Sequence, residues 1–159
     1  LKTGYIDESG YNISLSAQAD GRRLVAVLLG GPGENSREGA LSRAIDGVNL
    51  LSYGFYHFTR VEPKFPQLES VRVYRSAGGR ISVRLSEPET LVLPLDTAAR
   101  LEIRHELDSP LSAPLAAGTE IGRTVISSGG HTVRSYPIVL SDEAVLGNWW
   151  QQLVDALLQ

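Results

Sequence analysis

The sequence contains no cysteine and only three histidines. Without cysteine, neither a disulfide framework nor a thiolate metal site can form, and three scattered histidines give little support for a histidine metal site. We therefore expect no bound metal and no cofactor. The sequence also lacks any run of about 18 apolar residues, the length that a helix needs to cross a membrane. We therefore expect no membrane-spanning helix.

Basic residues are not in excess in either half of the chain. Residues 1–68 contain seven basic and seven acidic side chains, and residues 69–159 contain eight and eleven. Nucleic-acid-binding proteins need a basic surface, so we expect no nucleic-acid partner. Hydrophobic residues make up 42% of the chain and charged residues 21%, which is ordinary for a globular protein with a buried core.

The first 60 residues have the pattern of a strand hairpin followed by a helix. Residues 13–17 alternate between apolar and polar side chains, and residues 24–29 form a continuous apolar run; both patterns are typical of strands. Asp20-Gly21 lies between them and favours a tight hairpin turn. A helix follows, which Asn35 or Ser36 can cap. Its apolar side chains recur at spacings of three and four residues: Leu41, Ala44, Ile45, Val48, Leu51 and Phe55.

A glycine-rich loop, residues 30–36, separates the hairpin from the helix. A strand, a glycine-rich loop and a helix in succession also describe a phosphate-binding or dinucleotide-binding site. This loop lacks the Gly-x-Gly-x-x-Gly pattern, because Ser36 occupies the place of the third glycine, and it contains no Gly-Lys-Ser/Thr. We therefore interpret it as a turn that leads into the helix.

Two prolines, Pro63 and Pro66, mark the clearest boundary in the chain, because they exclude a helix and disfavour a central strand. Beyond them, short alternating segments separated by turn residues predict a small antiparallel β-sandwich or barrel. We therefore divide the chain into residues 1–60, a linker at 61–67, a β domain at 68–141 and a C-terminal segment at 142–159. The predicted strands cover residues 71–74, 81–85, 90–93, 101–104, 120–126 and 132–140.

The C-terminal segment is predicted to be an amphipathic helix, because its apolar residues fall on one stripe. Interfacial helices usually carry basic residues, but this segment has no Lys or Arg. Such a helix either lies on a membrane surface or packs against its own domain or a second copy of the chain. The candidates for a membrane anchor are Trp149, Trp150, Leu153 and Leu157.

The chain begins with Leu1-Lys2-Thr3-Gly4. Lys-Thr-Gly is one of three motifs of the serine acyl-transfer site in penicillin-binding proteins and class A β-lactamases. It is followed here by Gly10-Tyr11-Asn12, by the predicted hairpin and by Tyr53-Gly54-Phe55. Residues 111–122, LSAPLAAGTEIG, resemble a stretch of the C-terminal β domain in the same kind of penicillin-binding protein. In this order and spacing, nearly the whole chain resembles the low-molecular-mass penicillin-binding proteins, the serine-type D-alanyl-D-alanine carboxypeptidases.

The resemblance implies both a fold and a site. The fold would be an α/β remnant of the penicillin-binding transpeptidase-like domain (strand, hairpin and helix), then a mainly-β sandwich domain and the C-terminal amphipathic helix. As a catalytic residue, Lys2 would supply positive charge beside the nucleophile. Thr3 would offer a hydroxyl to the substrate carboxylate, and Gly4 would allow close backbone approach. Arg43 occupies the place of a helix arginine that faces the substrate carboxylate; the alternative is a solvated helix arginine.

The other two motifs of this site are absent from the sequence. Lysine occurs only at positions 2 and 64, and Val61 lies three residues before Lys64, so there is no Ser-x-x-Lys; Ser-x-Asn is missing as well. We therefore expect the chain to be part of a carboxypeptidase that trims the terminal D-alanine from peptidoglycan stem peptides, and to be inactive alone. The alternative is a non-catalytic β-sandwich module for membrane tethering or protein interaction.

The resemblance also implies partners and a location for the parent enzyme. Its partners would be peptidoglycan stem peptides and β-lactams. It would be extracytoplasmic, in the periplasm or cell envelope, and held by its tail helix on the outer face of the cytoplasmic membrane.

Overall fold

The computed structural model describes residues 1–149, and the chain divides into two compact units at the boundary between Thr59 and Arg60. Most of the predicted C-terminal helix, including Trp150, Leu153 and Leu157, lies outside the described residues. The elements are β1 (Lys2–Ile6), β2 (Gly10–Ala19), β3 (Arg22–Gly31), α1 (Ser36–His57), β4 (Phe58–Val61), β5 (Ser70–Arg72), β6 (Arg80–Leu85), β7 (Leu91–Pro94), α2 (Leu95–Ala98), β8 (Leu101–Leu107), β9 (Glu120–Ser128) and β10 (His131–Leu140). Within residues 1–149, no helix is long and apolar enough to cross a membrane.

The first unit contains an antiparallel sheet in the order β1-β2-β3. Asp20 and Gly21 both have positive φ, 50° and 71°, as the mirror-image turn of a two-residue hairpin requires. The predicted hairpin is thus confirmed. The predicted cap is also confirmed, because the side chain of Asn35 accepts hydrogen bonds from the backbone N–H groups of Arg37 and Glu38.

Helix α1 packs on the sheet through its glycines. A Cβ atom at Gly39 would lie 2.1 Å from the ring of Tyr11, and one at Gly47 would lie 2.9 Å from the side chain of Leu15. Gly54 meets Leu24 in the same way, at 2.7 Å. The aromatic ring leaves no room for a larger residue at Gly39, whereas at Gly47 and Gly54 the ends of the leucine side chains would have to move. The glycines therefore allow the helix to approach the strands closely.

Consequently, much of the apolar stripe predicted for α1 does not face the sheet. Leu51 is buried, but three of its apolar residues are 50–62% exposed: Leu41, Ile45 and Val48. On β3, alternate residues are 58–78% exposed: Val25, Val27 and Leu29. The first unit therefore presents apolar side chains to solvent from both its helix and its sheet.

The second unit is built on a five-stranded antiparallel sheet in the order β5-β6-β10-β9-β8. The mainly-β prediction is confirmed, but these strands belong to one half-barrel sheet rather than to two sheets facing each other. Backbone hydrogen bonds from Tyr74 N to Leu111 O (2.8 Å) and from Ala113 N to Tyr74 O (2.9 Å) join the segment after β5 to the segment after β8. The buried core comprises Val71, Val73, Ala113, Ile121, Ile138, Leu140 and Ala144.

Candidate functional site

The Lys-Thr-Gly motif lies on β1, an edge strand of the three-stranded sheet within residues 1–149. β1 pairs with β2 so that Lys2 is opposite Ser14 and Gly4 is opposite Asn12. All five residues of β1 are exposed. Because an edge strand presents backbone N–H and C=O groups that can pair with another extended chain, the motif lies where a peptide could bind.

Lys2 and Thr3 meet at the start of this strand. The ammonium group of Lys2 donates a hydrogen bond to the carbonyl oxygen of Thr3, at 2.6 Å from Nζ. The cation thus lies over the strand that carries the Thr3 hydroxyl. The Lys2 cation and the Thr3 hydroxyl belong to the same exposed strand, and both groups can bind a carboxylate.

Arg43 is brought to the same strand from α1. Its Nη1 donates to the carbonyl oxygens of Gly4 (3.2 Å) and Asn12 (3.3 Å), and its guanidinium lies 5.6 Å from the centre of the Tyr11 ring. Arg43 is half-buried and connects the helix to β1 and β2. Its predicted contact with a substrate carboxylate stays a prediction.

Two tyrosines support β1 next to the motif. The rings of Tyr5 and Tyr11 are 4.3 Å apart, and Tyr11 is buried. The hydroxyl of Tyr5 donates to a carboxylate oxygen of Asp7 at 2.7 Å. This hydrogen bond raises the pKa of Tyr5, so Tyr5 remains a neutral donor to higher pH than an ordinary tyrosine.

Asn12 connects the turn after β1 to the end of β3. Its Oδ1 accepts a hydrogen bond from Gly30 N at 2.9 Å, and its Nδ2 donates to Ser9 Oγ at 2.9 Å. The side chain thus ties the β1–β2 turn to the end of β3. The Gly-Tyr-Asn sequence at residues 10–12 supports the position of β1 through Tyr11 and Asn12.

Sequence reasoning missed the part played by Gly39. Because Gly39 lets the Tyr11 ring lie against α1, it holds the aromatic residue under Arg43 and beside Tyr5. A signal was present in the sequence, since Gly39, Gly47 and Gly54 recur at seven or eight residues within a helical pattern. Such spacing places residues on one face of a helix.

The described residues offer binding groups rather than a complete catalytic apparatus. An exposed cation, a hydroxyl and a strand edge can orient an extended peptide that ends in a carboxylate. Within residues 1–149, no group of three histidine, aspartate or glutamate side chains is placed to hold a metal ion.

Comparison with known proteins connects this geometry to a family. Residues 63–145 match the family model described as penicillin-binding protein 5, C-terminal domain. The chain is 28% identical over 158 residues to the D-alanyl-D-alanine carboxypeptidase DacA of Escherichia coli K12, covering 98% of this chain and 38% of that protein. It is 26% identical to DacA of Haemophilus influenzae, covering 97% of this chain and 40% of that protein. The chain therefore spans well under half the length of these relatives.

Solved structures share the fold. Penicillin binding protein 5 from Haemophilus influenzae matches with a TM-score of 0.64 and 26% identity, covering 91% of this chain and 42% of that chain. The D-alanyl-D-alanine carboxypeptidase DacD from Francisella tularensis matches with a TM-score of 0.69 and 24% identity, covering 92% of this chain and 36% of that chain. Since the family model covers more than half of the chain, the chain belongs to the penicillin-binding protein 5 C-terminal domain family.

Proposed function

We propose that this chain is the part of a serine-type D-alanyl-D-alanine carboxypeptidase that carries the Lys-Thr-Gly strand and the β domain. The observation that carries the proposal is the exposed edge strand β1, on which Lys2 and Thr3 lie together and Arg43 contacts Gly4. The relatives named D-alanyl-D-alanine carboxypeptidase support this assignment along 97–98% of the chain. The parent enzyme would remove the terminal D-alanine from peptidoglycan stem peptides.

In this proposal, the strand binds the end of the substrate. Lys2 is the catalytic cation beside the nucleophile and the substrate carboxylate, and Thr3 donates its hydroxyl to that carboxylate. Gly4 leaves room for the peptide backbone, and Arg43 adds a second positive charge near the strand. β-Lactams would bind at the same place, because they too present a carboxylate next to a reactive carbonyl.

The uncovered apolar side chains of the first unit also support the proposal. The sheet exposes Val25, Val27 and Leu29, while the helix exposes Ile45 and Val48. Exposed apolar surface of this kind marks a contact region. The rest of a catalytic domain, which would contribute the nucleophile, would cover these side chains.

The test begins with the gene and its complete product. The residues encoded upstream of Leu1 should include Ser-x-x-Lys and Ser-x-Asn, because acyl transfer needs a nucleophile and a base. The complete product should form a covalent adduct with fluorescent penicillin and release D-alanine from a D-alanyl-D-alanine peptide. The 159-residue chain alone should do neither.

The two lysines of the chain provide a matched pair of variants for the complete product. Lys2→Gln should slow adduct formation by roughly 10²–10³-fold, the usual cost of losing one preorganised electrostatic contact. Lys64→Gln removes an exposed lysine of the second unit and should react like the unaltered protein. An adduct on the 159-residue chain, or equal rates for the two variants, would contradict the proposal.

We further propose that the parent is extracytoplasmic and is held at the outer face of the cytoplasmic membrane by residues 142–159. Trp149, the last described residue, is 67% exposed. Because the segment contains Asp142, Glu143 and Asp155 but no Lys or Arg, attachment would depend on apolar burial and not on lipid charge.

Vesicle sedimentation tests this attachment. Binding of the full-length parent should be similar on neutral and anionic vesicles and should persist in high salt. The double change Trp149→Ala with Leu153→Ala should abolish it while leaving the β domain folded. If binding needs anionic lipid, or if the double variant still sediments, the segment is a packing or oligomer contact instead.

A further inference from the structure

The far end of β1 carries two polar side chains to which the proposed function assigns no role. Tyr5 is 51% exposed, and Asp7 is exposed in the turn that follows the strand. Successive side chains of a strand point to opposite faces, so Thr3 and Tyr5 share one face. The Tyr5 hydroxyl donates to Asp7 Oδ1 at 2.7 Å, which places the Asp7 carboxylate beside Tyr5. The three side chains therefore form a row along the exposed edge strand.

The two ends of this row differ in charge. Lys2 lies at its start, and Arg43 reaches the Gly4 carbonyl oxygen there at 3.2 Å. Asp7 lies at the other end and makes no ion pair within the described part of the chain. A carboxylate has about four positions for hydrogen bonds, and Tyr5 occupies one of them. A ligand that matches the row therefore has a negative charge at one end and a positive charge at the other.

Tyr5 and Asp7 are together suited to bind an ammonium group. The Tyr5 ring packs on the buried Tyr11 ring, with centres 4.3 Å apart, while the Tyr5 hydroxyl is fixed by Asp7. An aromatic ring attracts cations, and a carboxylate accepts strong hydrogen bonds from them. Groups that are oriented before a ligand arrives lose less conformational freedom on binding.

The spacing along β1 indicates which residue of a peptide would carry the cation. A peptide whose carboxylate lies at Lys2 and Thr3 can follow β1 only by running antiparallel to it. With its last residue opposite Thr3, its third residue from the end lies opposite Tyr5, about 7 Å along the strand. Directly opposite side chains share a face, and the four-carbon stem of a lysine can extend from there toward Asp7.

Taking the proposed function as the basis, we propose that Tyr5 and Asp7 bind a cationic side chain on the third residue from the carboxylate end of the substrate. The substrate class is thereby narrowed to stem peptides that carry a free amino group at this residue. Acylation of the amino group removes its positive charge, so peptides acylated there are poorer substrates.

Release of D-alanine by the complete product tests this proposal. The two substrates are Nα-acetyl-L-lysyl-D-alanyl-D-alanine and its Nε-acetyl derivative, in which the lysine side chain is neutral. We expect kcat/KM to be about five-fold higher for the free-amine peptide, which is the scale of one exposed ion pair. High salt should reduce the difference, because exposed charges are screened. This comparison uses the unaltered protein and so does not depend on how any variant folds.

Asp7→Asn and Glu8→Gln form a matched pair of variants, because each removes one exposed negative charge from the same turn. Asparagine can still accept the hydrogen bond from the Tyr5 hydroxyl. Asp7→Asn should therefore lower the ratio of the two kcat/KM values from about five to about one, by slowing the reaction of the free-amine peptide. Glu8→Gln should keep the ratio of the unaltered protein.

Equal kcat/KM values for the two peptides with the unaltered protein would overturn the proposal, as would an equal loss of preference in both variants. If Asp7→Asn slows both peptides in the same proportion, Asp7 has only a structural role and the proposal is wrong. If the unaltered protein forms no adduct with fluorescent penicillin and releases D-alanine from neither peptide, the proposed function itself is wrong, and the cation site with it.

Discussion

The two units of the chain bury their apolar residues in different ways. In the second unit, seven residues from β5, β9, β10 and the segments beside them form one buried cluster, in which Val73, Ile138 and Leu140 have no exposed surface. In the first unit, the helix meets the sheet through glycines. Val27 on the sheet is 58% exposed, and Ile45 on the helix is 50% exposed. The second unit thus has a core of its own, whereas the first presents surfaces suited to further contacts.

The largest expected effect comes from replacing isoleucine with alanine in each unit. Ile138→Ala should lower the free energy of unfolding by about 2–5 kcal/mol, since it leaves a cavity in a closed core. Ile45→Ala removes the same atoms from a half-exposed helix position and should change it by about 0.5 kcal/mol or less. Amide hydrogen exchange, measured at increasing denaturant concentration, gives the change in the free energy of unfolding for each variant. Equal losses of stability in the two variants would show that the two units do not differ in how well their isoleucines are packed.

Gly39→Ala tests the glycine contact that organises the first unit. Alanine favours helix by about 1 kcal/mol, but its Cβ would overlap the Tyr11 ring. We expect overpacking to dominate and to destabilise the first unit by about 1–3 kcal/mol. Gly4→Ala is the control for stability, because a Cβ there meets no atom within 4 Å. A more stable Gly39→Ala variant would contradict the close packing of α1.

The strands could be predicted from the sequence because their signals are local. Asp20-Gly21 specifies the hairpin turn, and alternation located the strands of the β domain at residues 81–85 and 132–140. The face of α1 that meets the sheet could not be predicted from apolar periodicity. Its stripe includes both the buried Leu51 and the exposed Ile45, and only the strands determine which face is covered.

The candidate site shows the same limit. The motif alone was enough to single out Lys2, Thr3 and Gly4. The hydrogen bonds of Arg43 join residues 39 and 31 positions apart in the chain, so their partners depend on how helix and strands pack.

The two units should also differ in whether they mediate self-association of the chain. We expect the first unit to pair with a second copy of the chain through its exposed strand face, because wet apolar surface costs roughly 25 cal/mol per Å². Val27→Lys should weaken this association about ten-fold. Val92→Lys, at a position of nearly equal exposure on β7, should not. Sedimentation equilibrium measures both, and a chain that stays monomeric at all concentrations would contradict the prediction.

The smallest expected effect is at the start of α1. Asn35 Oδ1 accepts from the N–H groups of Arg37 (3.1 Å) and Glu38 (3.0 Å), which have no partners within the helix. Asn35→Ala should therefore lower the stability of the first unit by about 0.5–2 kcal/mol, whereas Asn35→Asp should retain it because its carboxylate also complements the helix dipole.

Ser36→Ala is the matched control, since Ser36 is the first helical residue and does not provide the cap. Amide exchange should become faster in residues 1–59 of Asn35→Ala and remain unchanged in the strands of the second unit. If exchange accelerates equally in both units, the chain unfolds as one cooperative body, and the difference in burial between the units does not make them independent. If Asn35→Ala matches Ser36→Ala, the cap contributes nothing measurable, and the packing of Gly39, Gly47 and Gly54 on the sheet is what maintains the helix.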